Sequence, residues 1–346
     1  MSVRRHLDMK RCRDYAQRNQ PGPHRLKGLR RVAESGGRLS RSEAESIWST
    51  GLSDLKTFVT PRARGEGFAF NAGRTTELVW RRFGPGQQFD QSSELPLDVV
   101  IPVADSDAAV LPLTVASVRR NLTHPVKKII VITAVGSEAH IVAEQLGCYV
   151  IDEDTVVPVR RTNLDYRVGP WDRSGWLFQQ FLKLSVDTLS TEDHVFVLDA
   201  DTVLVRPQTL THLGEVVALV SSEYHAPYFT AYREILEEAP PSRLSFVAHQ
   251  AVFNRKTLFD LKNLIEERRE RPWWQAILDV CDFSQLSCFS EYELYGNYNL
   301  SRNRSVVRRW WANCPLERDH ISSLDHLQDR FGSQFRAVSF HHYIRQ

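Results

Sequence analysis

The sequence of 346 residues has little cysteine and no long apolar run. Its five cysteines are scattered and form no CxxC or Cys/His spacing, which argues against a structural zinc site and suits a reducing compartment. No apolar stretch approaches the roughly 20 residues that a membrane-spanning helix needs. No hydrophobic segment of a signal peptide follows the basic start. We therefore expect a cytoplasmic protein.

The chain as a whole also lacks a strong net charge, although its first part is basic. The net charge is only +2, which does not suit a nucleic-acid binder. Residues 1–95 nevertheless hold 18 Lys or Arg against 10 Asp or Glu. We interpret 1–95 as a basic N-terminal extension, loosely ordered or partly helical around 42–58, and 96–346 as the main domain. The extension could be a solvated tail, or it could contact the inner face of an anionic membrane.

Short apolar runs then alternate with helix-like segments. Candidate strands cover 98–103, 128–134 and 148–151, and candidate helices cover 109–122 and 137–146. Continuous apolar runs of this kind indicate strands that are buried on both faces of a parallel sheet. The alternation predicts an α/β domain with a Rossmann-like open sheet. In such sheets ligands bind beyond the carboxyl ends of the strands.

One predicted strand, VFVLDADTVLV over 195–205, carries Asp199 and Asp201. In extended backbone, residues i and i+2 point to the same side, so the two carboxylates should converge. Hard divalent cations such as Mn²⁺ and Mg²⁺ bind clustered oxygens and bridge them to phosphates. A plainer interpretation stays open, because aspartate at a strand end often caps the following turn.

The helix predicted over 174–189 leads directly into that strand. Its sequence GWLFQQFLKL gives a broad apolar surface, and Gln180 and Lys183 lie on one polar stripe. Both side chains could reach a diphosphate beside the cation, since lysine is a common phosphate binder. Alternatively, the stripe is the solvated face of a core helix.

The rest of the chain continues the alternation without an internal repeat or low-complexity tract. A segment dense in acids and aromatics, SEYELYGNY, covers 290–298. The remaining candidate strands are 216–220, 244–253 and 337–340, and the remaining candidate helices are 256–269 and 272–282.

Four segments occur in a fixed order: GWLFQQFLKL, VLDADTVLVRP, a strand with His249 and Gln250, and SEYELYGNY. Together they resemble the nucleotide-sugar glycosyltransferases of the GT-A fold. They are most similar to a bacterial family of uncharacterised glycosyltransferase-like proteins, some of them linked to capsule or surface polysaccharide synthesis. The resemblance covers roughly residues 96–346. It implies a GT-A domain with a mixed, mostly parallel central sheet.

The resemblance also implies a metal site for Mn²⁺ or Mg²⁺. Asp201 would be a direct ligand, and Asp199 would bind the metal or the donor ribose. A histidine near the C-terminus, His341 or His342, would complete the site.

Donor-binding residues are expected at the strand ends. The loop 101–105, with Val103 and Asp105, would take the nucleoside, and Asp152 ends the third strand. Gln180 and Lys183 would lie near the diphosphate.

Catalysis places further demands on the site. Sugar transfer passes through an oxocarbenium-like transition state, and the leaving diphosphate gains charge that a cation and a lysine can stabilise. An inverting enzyme also needs a carboxylate that deprotonates the acceptor, and Glu291 and Glu293 are the candidates. In a retaining enzyme they would only hydrogen-bond the acceptor.

The candidates for the sugar pocket are His249, Gln250, Tyr292 and Tyr295. For His249 the plainer alternative is a buried histidine that is hydrogen-bonded by its neighbours.

We therefore expect a metal-dependent glycosyltransferase that moves a sugar from a nucleotide-sugar donor, with a UDP-sugar as first candidate, to a glycan or lipid-linked acceptor. The main rival is a haloacid-dehalogenase-type phosphatase with Asp199 as the nucleophile, because DADTV fits its motif. Such enzymes usually begin their core with that motif, whereas at least three predicted strands precede it here. A catalytically silent binding module is a third possibility.

Overall fold

The computed structural model describes residues 92–212, 215–221, 223–303 and 306–341. All of them belong to one compact unit that covers 78–342. The helix predicted around 42–58 lies outside the described residues, as does most of the basic extension. Within the described ranges, no helix is both long enough and apolar enough to cross a membrane.

The strands, in chain order, are β1 (Leu97–Pro102), β2 (Val126–Thr133), β3 (Tyr149–Asp152), β4 (Arg167–Val168), β5 (Trp171–Asp172), β6 (His194–Leu198), β7 (Thr202–Leu204), β8 (Thr211–His212), β9 (Glu215–Val220), β10 (Gln250–Asn254), β11 (Val307–Trp310), β12 (Asn313–Leu316) and β13 (Ala337–Phe340). The α-helices are α1 (Leu111–Asn121), α2 (Glu138–Gln145), α3 (Ser174–Leu184), α4 (Ala226–Leu236), α5 (Arg255–Arg269), α6 (Trp273–Val280), α7 (Glu291–Arg302) and α8 (Leu324–Phe331).

The central sheet has the strand order β10–β6–β1–β2–β3. Strands β6, β1, β2 and β3 are parallel, and β10 runs antiparallel to β6 at one edge. Every residue of β1 is buried, as its continuous apolar sequence predicts. The α/β class and the mixed, mostly parallel central sheet are therefore confirmed.

Two hydrophobic cores cover the two faces of this sheet. Val99 belongs to the core shared with α1 and α2, whereas its neighbour Val100 belongs to the core shared with α3 to α7. This division follows from the alternation of side chains along a strand. Two smaller sheets, β11–β9–β8 and β12–β13–β7, and the hairpin β4–β5 complete the fold.

The continuous strand predicted over 195–205 is wrong in its middle. The chain leaves the central sheet after Leu198 and turns, with the Thr202 amide donating to the Asp199 carbonyl at 3.0 Å. It then enters a different sheet as β7, which pairs with β13. Because Asp199 and Asp201 lie in a turn, the side-chain alternation of a strand does not bring them together.

Two other predicted elements are shorter than expected. The strand predicted over 244–253 begins only at Gln250, and His249 before it has a left-handed φ of 53°. The helix predicted over 174–189 ends at Leu184 and is followed by a 3-10 turn, Val186–Thr188. The segment 290–298, whose secondary structure the sequence left open, forms the first two turns of α7.

Candidate metal and donor site

The site lies at the carboxyl end of β6, where the antiparallel strand β10 begins. Leu198 pairs with Gln250, so His249 is placed directly beside Asp199. The Asp199 amide donates to the His249 carbonyl at 2.9 Å. The His249 Nδ1 atom lies 3.0 Å from Asp199 Oδ2. Strand pairing thus fixes both the backbone and the ring of His249.

A second strand pair brings His341 to Asp201. β13 runs antiparallel to β7, so its end lies beside the turn that precedes β7. The Phe340 amide donates to the Asp201 carbonyl at 2.9 Å, and His341 Nδ1 lies 3.2 Å from Asp201 Oδ2. His341 is buried. His342, the alternative predicted from the sequence, lies outside the described residues.

Asp201, His249 and His341 could together hold a metal ion. Each offers one ligand atom, and these atoms lie within 4.8 Å of one another. One carboxylate and two imidazoles suit a divalent transition metal, so the residues present fit such a cation. The His249 ring stacks on Trp311 with 4.8 Å between ring centroids, and it lies 5.1 Å from the His341 ring.

A buried lysine lies behind Asp199. Lys183, from α3, places its Nζ 2.5 Å from Asp199 Oδ1 and 2.8 Å from Glu291 Oε1. The Lys183 and Glu291 side chains are only 5% and 1% exposed. Tyr292 donates its hydroxyl to Asp199 Oδ1 at 2.9 Å, and the ammonium lies 4.6 Å from the Tyr292 ring centroid. Helices α3 and α7 therefore meet at Asp199 through charged and aromatic side chains.

These contacts shift the pKa values of the cluster. Burial opposes the charge of Lys183, but Asp199 and Glu291 outweigh it and raise the lysine pKa. Burial likewise opposes ionisation of Asp199, yet Lys183 and His249 hold its pKa well below the usual range. Burial raises the pKa of Glu291 despite Lys183. Burial would lower the pKa of His249, but the hydrogen bond and charge of Asp199 raise it to about 9.

Glu293 has a different environment from Glu291. It is buried, and its carboxylate accepts hydrogen bonds from the Ser245 hydroxyl, from the Phe246 amide at 3.1 Å and from Asn297 Nδ2 at 3.0 Å. Burial raises the pKa of Glu293 to about 8, although these hydrogen bonds oppose the rise. Its carboxylate therefore holds the segment before His249 onto α7.

Three other residues with predicted roles point into the protein. Gln180 accepts from the Glu291 amide at 3.3 Å and so joins α3 to the start of α7. Gln250 donates to Gln208 Oε1 at 3.2 Å. Tyr295 accepts from the Asn254 amide at 2.8 Å, and burial raises its pKa.

The predicted donor-binding residues Val103, Asp105 and Asp152 lie at the same edge of the sheet, at the ends of β1 and β3. Val103 is buried directly after β1. Asp105 is exposed and accepts from the Ala139 amide at 3.1 Å, at the start of α2. Asp152 accepts from the Asp154 amide at 3.1 Å. Glu153, which the sequence did not single out, has a pKa raised by burial, and the charges of Asp105 and Asp152 add to the rise against Arg161.

Sequence reasoning missed two features of this site. It assigned His249 only to a sugar pocket, whereas the structure groups it with Asp201 and His341. It gave no role to Trp311, which supports the His249 ring. No local pattern marks Trp311, but the position of His249 follows once β10 is known to pair with β6.

A protein-family model described as a family of unknown function, DUF6492, matches residues 125–343. No curated protein matches the chain. Among solved structures, the chain is similar to the galactosyltransferase LgtC in complex with donor and acceptor sugar analogues. The sequence identity is 16%, the match covers 70% of this chain and 87% of that chain, and the TM-score is 0.39. It is also similar to the apo form of mouse xyloside xylosyltransferase 1, with 12% identity, 73% and 100% covered, and a TM-score of 0.40.

Proposed function

Because the chain belongs to DUF6492, a family of unknown function, we propose its activity from the site: a metal-dependent glycosyltransferase of the GT-A type. It would move a sugar from a nucleotide-sugar donor, with a UDP-sugar as first candidate. One observation carries the proposal, namely that a potential cation site and the buried ammonium of Lys183 adjoin the same Asp-x-Asp turn. A cation held there suits a diphosphate leaving group, because it can stabilise the negative charge that the group gains. Lys183 offsets the charges of Asp199 and Glu291, with which it is paired behind this site.

The metal would be held by Asp201, His249 and His341. A bound Mn²⁺ or Mg²⁺ would supply Lewis-acid stabilisation of the donor diphosphate. The imidazole ligands favour Mn²⁺ over Mg²⁺, since Mg²⁺ prefers oxygen ligands. Lys183 stays protonated because its pKa is raised, so it balances the charges of Asp199 and Glu291 beside the site. Asp105 and Asp152 would bind the nucleoside at the same sheet edge, where ligands of open α/β sheets lie.

The two glutamates are better explained as positioning residues than as bases. Glu291 is almost fully buried against Lys183, and Glu293 is engaged by three hydrogen-bond donors. A general base must come within hydrogen-bond reach of the acceptor hydroxyl. This environment favours the alternative in which neither glutamate deprotonates the acceptor, as a retaining enzyme permits. The catalytic role of either residue stays a prediction.

The contacts of Asp199 argue against the phosphatase alternative. A phosphatase nucleophile needs a carboxylate oxygen that can attack phosphorus. Oδ1 of Asp199 already accepts from Lys183 and Tyr292, and Oδ2 faces His249. These three contacts suit an anchoring role more than nucleophilic attack.

The acceptor that we propose is a glycan or lipid-linked intermediate of surface polysaccharide synthesis, as the sequence resemblance implies. The enzyme would then work in the cytoplasm, and the basic residues 1–95 would bring it to an anionic membrane. Co-sedimentation with vesicles of anionic lipid, compared between the full chain and a chain without residues 1–95, tests this last step. Equal binding of both chains would contradict it.

The activity itself is tested by incubating the protein with a panel of nucleotide sugars, with and without Mn²⁺, and measuring release of nucleoside diphosphate. We expect Mn²⁺-dependent release from at least one donor, and its loss in Asp201→Asn. Generic phosphomonoesters serve as the competing panel. Metal-dependent phosphate release together with a trapped aspartyl-phosphate at Asp199 would instead establish the phosphatase.

A further inference from the structure

The two aspartates of the Asp-x-Asp turn do not have equivalent surroundings. Asp201 belongs to the group of potential metal ligands, together with His249 and His341, whereas Asp199 does not. We propose that Asp199 does not bind the cation but is a positioning residue, which orients the His249 ring so that His249 is a ligand in its place. This inference rests on the metal dependence in the proposed function.

Both carboxylate oxygens of Asp199 already have partners. Oδ1 lies 2.5 Å from Lys183 Nζ and 2.9 Å from the Tyr292 hydroxyl. Oδ2 lies 3.0 Å from His249 Nδ1. With both oxygens engaged and one of them paired with a buried ammonium, a metal would have to displace a hydrogen bond or an ion pair to reach this carboxylate.

The contact with Asp199 determines which nitrogen of the His249 imidazole can bind a metal. When Nδ1–H of His249 donates to Asp199, Nε2 is the nitrogen that can bind a metal, and the metal displaces any proton from it. Metal-ligating histidines commonly donate their other ring N–H to a carboxylate, which fixes the tautomer and the ring orientation. The same nitrogen, Nε2, lies 3.8 Å from Oε2 of Glu223, whose side chain is half-exposed. The pairing of Asp199 with His249 therefore has the form of a ligand and its orienting carboxylate.

The backbone of His249 is held in an unusual conformation. Its φ of 53° is a left-handed conformation that residues other than glycine rarely adopt. It is stabilised by the Asp199 amide, which donates to the His249 carbonyl at 2.9 Å, and by stacking of the ring on Trp311. Unfavourable backbone conformations held by their surroundings cluster at functional sites. Together with the contact between Nδ1 and Asp199, these two contacts fix His249 at the edge of the proposed metal site.

The consequence is a ligand set with two imidazoles and one carboxylate, in place of two carboxylates and one imidazole. Imidazole ligands suit transition metals, whereas Mg²⁺ prefers carboxylate, carbonyl and water oxygens. We therefore expect the protein to bind Mn²⁺ more tightly than Mg²⁺ even without any nucleotide.

The test uses the full chain with Mn²⁺ alone. Pulsed electron paramagnetic resonance detects the ¹⁴N couplings of imidazoles bound to Mn²⁺, and the free Mn²⁺ signal gives the affinity. Wild type should show two imidazole nitrogens, and His249→Gln should show one. Asp199→Asn, which can still accept from Nδ1–H, should keep both nitrogens and weaken binding by about 10-fold to 100-fold. Asp199→Ala should weaken it further and change the ¹⁴N coupling, which a merely structural role would not do.

Two results would overturn the inference. One is a single imidazole nitrogen in wild type, a measurement that depends on no variant folding. The other is unchanged nitrogen coupling in His249→Gln together with a loss in Asp199→Asn as large as in Asp201→Asn, with circular dichroism confirming that each variant is folded. A two-nitrogen Mn²⁺ site in a protein that releases no diphosphate from any donor would contradict the proposed function alone. A one-nitrogen site in an active enzyme would contradict this inference alone.

Discussion

Replacing Lys183 with methionine removes a charge that two carboxylates share while keeping most of the side-chain volume. The ammonium lies 2.5 Å from Asp199 and 2.8 Å from Glu291, and the Glu291 side chain is 1% exposed. Breaking a buried ion pair by removing one partner typically costs about 3–5 kcal/mol. Asp199 is 22% exposed and keeps part of its hydration, so we expect a loss near the lower end of that range. Such a loss is a large part of a typical total stability of about 5–15 kcal/mol.

The free energy of unfolding from urea titration measures this loss. The matched control is Lys256→Met, because Lys256 pairs with Asp260 at 2.7 Å but the two side chains are 80% and 43% exposed. Exposed pairs contribute only about 0–1 kcal/mol. The double variant Lys183→Met/Glu291→Gln should recover part of the loss, since it removes one uncompensated charge. A Lys183→Met variant as stable as the control would refute the reasoning that this cluster is buried and charged.

Three further predictions concern the surroundings of the site. Gly296→Ala should lower the free energy of unfolding by about 1–3 kcal/mol, because an added Cβ would lie 2.3 Å from Phe246 Cγ; an unchanged melting temperature would contradict this packing. Burial raises the folded-state pKa of Glu293 from 4.5 to about 8, so the folded state holds this proton more tightly than the unfolded chain does. The resulting contribution to the free energy of unfolding is fully present below pH 4.5 and should be lost as the pH rises towards 8. Glu293→Gln should remove that pH dependence, and an identical pH series for both proteins would count against it. Trp311→Ala should weaken Mn²⁺ affinity more than Trp311→Phe, since phenylalanine can still stack on His249; equal affinities would show that the stack does not position the ring.

Much of the central sheet could be predicted from local sequence. β1 and the second half of β2 are continuous apolar runs because both faces of these strands are covered. The turn within 195–205 could not be predicted from local sequence, because the apolar residues on both sides of Asp199 resemble one continuous strand. What separates them is the partner of β7, which is β13, more than a hundred residues later in the chain. Pairing at that distance leaves no local signal.

The candidate site, too, could be predicted only in part from the sequence. The resemblance implied Asp201 and either His341 or His342 as ligands, and the structure places His341 Nδ1 3.2 Å from Asp201 Oδ2. The contribution of His249 depends on the pairing of β10 with β6 and on a backbone conformation that the sequence does not encode locally. Glu293 was a candidate base and Tyr295 a candidate for the sugar pocket, and the packing of α7 turns both inward. Which face of a helix is buried is decided by its neighbours.

Metal-assisted donor binding is measured by calorimetry as the affinity for UDP, with and without Mn²⁺, in wild type and in Asp201→Asn. Asp201 is chosen because it is the carboxylate in the group of potential ligands with His249 and His341. We expect Mn²⁺ to strengthen UDP binding to wild type by at least about tenfold and to have no effect on Asp201→Asn. Equal UDP affinity in all four conditions, or no UDP binding at all, would contradict it.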